Sequence, residues 1–160
     1  MARLDELPLH HRAFLKAYRW RRIDPVPWTP PAKPLAECRL ALVSSAGLTL
    51  PDDRGFDSKI RGGDSSFRVV PADTSARILE DHHRSSSYDH AGIHQDPNVA
   101  FPVDRVRELA AAGRIGEVAP RHLSFMGSVT APGRLVRDVA PVAAEALVSD
   151  QVDVALLVPV

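Results

Sequence analysis

Pro141-Val142-Ala143-Ala144-Glu145-Ala146-Leu147-Val148, followed after a short link by Asp153-Val154-Ala155-Leu156-Leu157-Val158-Pro159-Val160, is the stretch whose reading decides the fold. Pro141 suits the first turn of a helix, with Val142, Ala146 and Leu147 on one side of it. The run after the link is apolar throughout and does not alternate, as expected of a strand buried on both faces of a parallel sheet. A helix that feeds such a strand is half of a crossover connection. The fold class is therefore α/β, a mainly parallel sheet with flanking helices. Proteins of that class place their chemistry outside the carboxyl ends of the strands. Here that end coincides with Val160, so the expectation is an incomplete domain, with the working half of the site beyond it.

Upstream, Leu40-Ala41-Leu42-Val43 is the first convincing core strand and leads into the turn-prone Ser44-Ser45-Ala46-Gly47. Phe67-Arg68-Val69-Val70-Pro71 reads as a short strand, and Arg77-Ile78-Leu79-Glu80 as another candidate. Residues 103–112 read as a helix prepared by Pro102, favoured by Asp104 and stopped by Gly113. Residues 81–98 and 120–132 read as loops. Near the N-terminus, residues 8–20 suggest a helix with Leu7, Phe14, Leu15 and Tyr18 in one stripe. Residues 24–34 carry five prolines around Trp28, which suits an extended arm. The expected organisation is an N-terminal helix and arm over 1–34 and an α/β core over 35–160.

With 160 residues the chain is long enough to bury a sizeable core. Twenty basic and twenty acidic side chains balance, so no global field draws it to nucleic acid or membrane. The sequence holds no apolar run of membrane-spanning length and no signal-peptide core at its start. Its single cysteine, Cys38, excludes an internal disulfide and any CxxC motif, and a reducing cytoplasm is the expected setting.

Several residue sets carry possible chemistry. His90 and His94, with Asp89 and Asp96 or with His82 and His83, have metal-ligand character, but Gly92 and Pro97 argue against the helix that would align them. Ser44 and Ser45 follow the first strand, where α/β ligands bind, yet do not match a nucleophile elbow; they suit binding of an oxyanion or carboxylate. Arg61-Gly62-Gly63-Asp64-Ser65-Ser66 lacks both the P-loop lysine arrangement and the dinucleotide fingerprint, and is a weak phosphate signal. Lys16, Arg19, Arg21 and Arg22 alternate with Tyr18 and Trp20, which suits a helix end docking on a partner better than nucleic acid. Cys38 reads as a small buried residue at the start of a strand.

Taken in order, six segments resemble one known family. They are Trp20-Arg21-Arg22-Ile23-Asp24-Pro25-Val26-Pro27-Trp28, Leu42-Val43-Ser44-Ser45-Ala46-Gly47, Gly63-Asp64-Ser65-Ser66-Phe67-Arg68-Val69-Val70-Pro71, Tyr88-Asp89-His90, Asp96-Pro97-Asn98-Val99-Ala100-Phe101-Pro102-Val103-Asp104-Arg105, and Ala119-Pro120-Arg121-His122-Leu123-Ser124-Phe125-Met126-Gly127. The chain is similar to the selenoprotein B family of glycine, sarcosine, betaine and D-proline reductases, and within it to the D-proline reductase-like branch. The resemblance runs from Trp20 to Val160. It implies that the last strand continues into a catalytic selenocysteine or cysteine, so that the chain is truncated just before its nucleophile, at a UGA codon read as stop.

For a complete protein the resemblance implies reductive cleavage of a C–N bond in D-proline, glycine or a related amino acid. A pyruvoyl group on a partner subunit would take up the substrate amine, the selenolate or thiolate would attack the α-carbon, and a thioredoxin-like or other dithiol donor would reset the enzyme. The chain itself would hold no cofactor, metal or catalytic residue and would be inactive alone. The residues expected to line the substrate site or an interface are Ser44, Ser45, Asp64, Arg68, His90, Asp96, Asn98, Asp104, Arg105 and His122. Arg68 and Asp104 have a purely structural alternative as an ion pair. Two other functions stand beside this one: a complete, non-catalytic binding or assembly module, and a metal-dependent hydrolase built on His90 and His94.

Overall fold

The computed structural model describes residues 4–18 and 22–160, in two units, Met1–Pro30 and Pro31–Val160. In the first, a 3-10 turn at Leu4–Glu6 precedes α1 (Leu9–Ala17). Pro8 stands just before the helix, and its carbonyl accepts the Arg12 N–H at 3.1 Å. The rings of Phe14 and Tyr18 lie 5.6 Å apart, as the apolar stripe requires. The helix stops at Ala17, with Tyr18 extended at its C-cap, short of the expected residue 20; Arg19, Trp20 and Arg21 lie outside the described residues, and with them part of the basic–aromatic alternation.

The second unit contains β1 (Arg39–Ser44), β2 (Leu48–Thr49), β3 (Phe67–Pro71), β4 (Glu80–Asp81), α2 (His90–Gln95), α3 (Val103–Ala111), β5 (Glu117–Val118), β6 (Arg121–Phe125), α4 (Ala140–Ser149) and β7 (Val154–Val158). β1 is the centre of the main sheet. It runs parallel to β7 on one side and parallel to β5 and then β6 on the other. β3 adds antiparallel to β6, and β2 with β4 forms a separate antiparallel pair. The sheet is mixed, with helices packed around it, and the domain is α/β in character.

Leu40, Ala41 and Leu42 of β1 are buried in succession, as in a strand covered on both faces. Leu40 and Leu42 of β1 join Val70 of β3 and the α3 residues Val103 and Val106 in a core that also takes in Phe101 and Ile93. Gly113 stops α3 with φ +67°, the left-handed turn expected there. On α4 the buried residue is Ala143, while Val142 is half exposed, so the inward side is rotated from the one its apolar pattern suggested.

The β5–β6 edge contains a detour. From Leu40↔Val118 to Val43↔Leu123, β1 advances three residues and its neighbour five. Pro120, in the middle, has no N–H to give to a ladder. The Ala119 N–H still reaches the Leu40 carbonyl at 2.9 Å. The Leu42 N–H, passed over by the detour, donates instead to Nδ1 of the fully buried His122 at 3.1 Å. An imidazole nitrogen replaces a peptide carbonyl in the ladder.

Four expectations are corrected. Residues 121–125, read as loop, form β6 with His122, Leu123 and Ser124 buried, a core set whose polar members mask the strand pattern; of them, His122 accepts the Leu42 N–H through Nδ1. Residues 90–95, read as structureless, form α2: Asp89 caps it through the Gly92 N–H at 3.0 Å, and Pro97 falls beyond its end. Residues 77–80 are not a strand but a 3-10 turn, Ala76–Ile78, started by Ser75, with only Glu80 entering β4. β7 pairs with β1 alone among the described strands, and Leu156 and Leu157 are 42% and 67% exposed rather than buried on both faces. An apolar run reports what a strand can tolerate, not which neighbours cover it.

Candidate functional site

The carboxyl ends of β1, β6 and β7 meet around Ser45, Gly127 and Val160. Ser45 ties them together: its N–H donates to the Val158 carbonyl at 3.1 Å, and its Oγ accepts the Val160 N–H at 2.9 Å. Ser44 is buried; its hydroxyl donates to the Ala100 carbonyl at 2.7 Å and accepts the Ala46 N–H at 3.1 Å. Gly127 fills the remaining gap because only a glycine fits. A Cβ there would stand 2.7 Å from the Ser45 carbonyl oxygen, 2.8 Å from that of Val160 and 3.2 Å from Nε2 of His83.

His83 is only 8% exposed and stacks on Tyr88, ring centroids 4.1 Å apart. Its Nδ1 accepts the Ser85 N–H at 3.3 Å, so the neutral ring carries its proton on Nε2. Burial holds its pKa below the ordinary imidazole value, which favours that neutral form. Burial likewise raises the Tyr88 phenol, with the Asp81 carboxylate adding to the effect. His83 Nε2 and Tyr88 Oη are both buried with no hydrogen-bond partner among the described residues. Both residues line a cavity of about 400 Å³ that also reaches Asp89, Ser128, Gly127 and Val160. Across Gly127 lies an apolar cavity of about 380 Å³ bounded by Val43, Phe125, Leu135, Leu157 and Pro159.

A charged network holds the loop that carries His83. Asp81, with a nearly inaccessible side chain, accepts the His83 N–H at 2.8 Å through Oδ1 and His90 Nδ1 at 2.5 Å through Oδ2. His90 Nε2 reaches the Ser85 carbonyl at 3.1 Å. With an acceptor on each nitrogen, the ring is favoured as imidazolium, and its hydrogen bond to Asp81 raises its pKa. His94 approaches the same carboxylate at 3.6 Å. The i, i+4 histidines therefore share a face of α2, but they turn to one aspartate. Among the described residues no group of three histidine, cysteine, aspartate or glutamate side chains is placed to hold a metal.

The other expected site residues fall elsewhere. Asp64 and Arg68 lie in a separate cleft. Asp64 accepts from the Asp57 N–H and from both the N–H and Oγ of Ser66; burial alone would raise its pKa, and these bonds outweigh it and hold the carboxyl low. Asp96, Asn98 and Asp104 interlock at the start of α3: Asn98 donates to Asp96 at 3.1 Å and to Asp104 at 2.9 Å, and accepts the Asp104 N–H at 3.1 Å. The ion-pair partner of Asp104 is Arg107, not Arg68. Arg105 pairs with Glu108 on the exposed face of α3. His122 is in the core, and Cys38 is fully buried just before β1, at the end of the sheet opposite to Gly127.

His83, Tyr88 and Gly127 were not among the expected site residues. Tyr88 and Gly127 do stand in the segments that carry the family resemblance, and His83 stands in the histidine-rich loop whose residues suit metal ligation, local hydrogen bonding or substrate binding.

The fold is α/β, and among the described residues it leaves buried polar groups without a hydrogen-bond partner beside the carboxyl ends of its parallel strands. The chain belongs to the glycine/sarcosine/betaine reductase selenoprotein B family, whose profile matches residues 7–159. It is 36% identical over 136 residues to the D-proline reductase subunit gamma of Acetoanaerobium sticklandii, covering 84% of this chain and 54% of that one. It is 30% identical over 137 residues to the glycine reductase complex component B subunit gamma of Carboxydothermus hydrogenoformans, covering 84% of this chain and 31% of that one. To the sarcosine reductase complex component B subunit beta of Peptoclostridium acidaminophilum it is 29% identical over 128 residues, with 78% and 29% covered. The chain spans about half or less of the length of these relatives. No solved structure matches it.

Proposed function

We propose that this chain is the N-terminal part of a selenocysteine- or cysteine-dependent reductase subunit that cleaves a C–N bond in D-proline, glycine or a related amino acid. The observation that carries this reading is the pair of buried groups unpartnered among the described residues, His83 Nε2 and Tyr88 Oη, on residues that line the cavity reaching Gly127. Both are hydrogen-bond donors, so they suit an acceptor such as a carboxylate or carbonyl oxygen. A pyruvoyl group on a partner subunit would supply the carbonyl that takes up the substrate amine. His83 and Tyr88 would orient the oxygen acceptor, Asp81 and His90 would hold the His83 loop, and the apolar cavity under Phe125 would exclude water. The nucleophile belongs to a segment following β7. A thioredoxin-like or other dithiol would return it to the reduced state, in the cytoplasm.

The 160-residue chain should show no reductase activity with D-proline, glycine or sarcosine, even with dithiol and partner subunit present. The reaction needs a soft, ionised nucleophile, and the only thiol, Cys38, is buried at the wrong end of the sheet. The codon after Val160 should be an in-frame UGA, with an open frame beyond it encoding a nearby cysteine. Extending the chain through that frame, with cysteine for selenocysteine, should give weak turnover. Replacing His83 by Gln in the extended protein should lower kcat by on the order of a hundredfold, the scale for losing one donor to a developing charge. Turnover by the 160-residue chain that Cys38→Ser abolishes would falsify the assignment, as would UAA or UAG at that codon.

A further inference from the structure

A third opening, larger than the other two at about 590 Å³, lies between residues 54–68 and residues 131–139. Four arginines line it, Arg54, Arg61, Arg68 and Arg134, against two aspartates, Asp57 and Asp64. The aspartates are already committed. Both oxygens of Asp64 accept local hydrogen bonds, and Asp57 accepts the Lys59 N–H at 2.8 Å. Arg68 is committed too: it lies 4.4 Å over the Phe56 ring and donates to the carbonyls of Arg54 at 2.7 Å and Gly55 at 3.1 Å. It braces the loop. Arg54, Arg61 and Arg134 have no ion pair or side-chain hydrogen bond among the described residues.

Main-chain packing brings two of these cations, Arg61 and Arg134, to the same opening. The Gly62 carbonyl accepts the N–H groups of Thr130 at 2.8 Å and Ala131 at 3.1 Å, which seats the 60–63 turn on the segment leading to Arg134. The contact needs glycine: Gly62 and Gly63 have φ +91° and +103°, and a Cβ on Gly63 would stand 2.7 Å from the Ser128 carbonyl oxygen. Like charges held at one opening repel unless an anion joins them. Guanidinium groups are suited to oxyanions, which they bind bidentately. The surplus of two positive charges in the lining matches a phosphate ester or dicarboxylate, each near −2 at neutral pH. The volume falls within the range of roughly 300–1,000 Å³ typical of small-molecule sites.

We propose that this cleft binds a small oxyanion of two negative charges, phosphoryl or dicarboxylate in type. The site is separate from the one at Gly127 and does not depend on the reductase reading. The test is calorimetric titration of the 160-residue chain at low ionic strength with inorganic phosphate and, separately, with malonate. At least one should bind saturably at one site per chain; tighter phosphate binding assigns a phosphoryl ligand, and tighter malonate binding a dicarboxylate. Arg61→Gln with Arg134→Gln should weaken binding at least about tenfold, and Arg134→Gln alone should give part of that loss. Arg137→Gln, whose guanidinium pairs with Asp138 outside the lining, should leave it unchanged. These side chains are exposed, so ligand-free thermal stability should not move. Failure of both anions to saturate, or double-variant affinity equal to that of the unaltered chain, would overturn the proposal.

Discussion

Stability of the folded chain should fall by about 3 kcal/mol as the pH drops from about 6.5 towards 4. His122 sets the acid side. Burial, with the Arg107 charge adding to it, pushes its pKa from 6.5 down to about 4. Between those values the unfolded chain binds a proton that the folded one refuses, so stability is lost as the pH falls. His83, also lowered by burial, acts with the same sign. His90 sets the other side. Its pKa is raised, so its contribution is complete below 6.5 and is lost as the pH rises through its folded value. Chemical denaturation across pH 4 to 8 reads both arms. His122→Asn retains an acceptor for the Leu42 N–H and should flatten most of the acid arm. His122→Leu strands that N–H and should cost about 1–3 kcal/mol at neutral pH. An acid arm that survives both substitutions would remove His122 as its source.

Gly127→Ala should destabilise the chain by about 1–3 kcal/mol, the usual cost of forcing a methyl into a filled space. The nearest obstructing atom is the backbone carbonyl oxygen of Ser45, at 2.7 Å, which cannot swing aside as a side-chain tip would. Relief has to come from shifting the end of β1, to which the end of β7 is tied through Ser45. Hydrogen exchange at Val158 and Val160 should therefore accelerate, while the β3–β6 amides keep their protection. In a complete reductase the same methyl would crowd Nε2 of His83 and lower turnover. If the variant melts and exchanges like the parent, the close approach at Gly127 is not a constraint and the site loses its narrowest point.

Residues whose role is local were legible in the chain itself. β1 and β3 follow from short β-branched and leucine-rich runs, and α3 from the pairing of Pro102 with Gly113. β6 was not legible, because Arg121-His122-Leu123-Ser124-Phe125 turns a histidine and a serine into the core, and only the tertiary partners of His122 make that tolerable. α2 was hidden by treating Gly92 as a breaker, when its N–H is what Asp89 caps. The site was only half visible for the same reason. Ser45 could be found from its place after a strand, whereas His83 gains meaning from Ser85, Tyr88 and Gly127, which meet it only once the sheet has formed. The family resemblance supplied Tyr88 and Gly127 as quoted residues without saying what they do.

The detour in which His122 replaces a peptide carbonyl has a consequence of parity. A strand presents alternate residues to opposite faces, so one inserted residue would exchange inside and outside for everything after it. Here the neighbour of β1 gains two residues between Val118 and Leu123, an even number. Val118 shares a face with Leu40, and Leu123 still shares one with Val43. The insertion is thus silent for the core and audible only at the far end, where it changes which residues the strand delivers to the site. Shortening the segment by one residue should turn Leu123 and Ser124 to the wrong faces, whereas shortening it by two should preserve the core and move Gly127 out of line with Ser45.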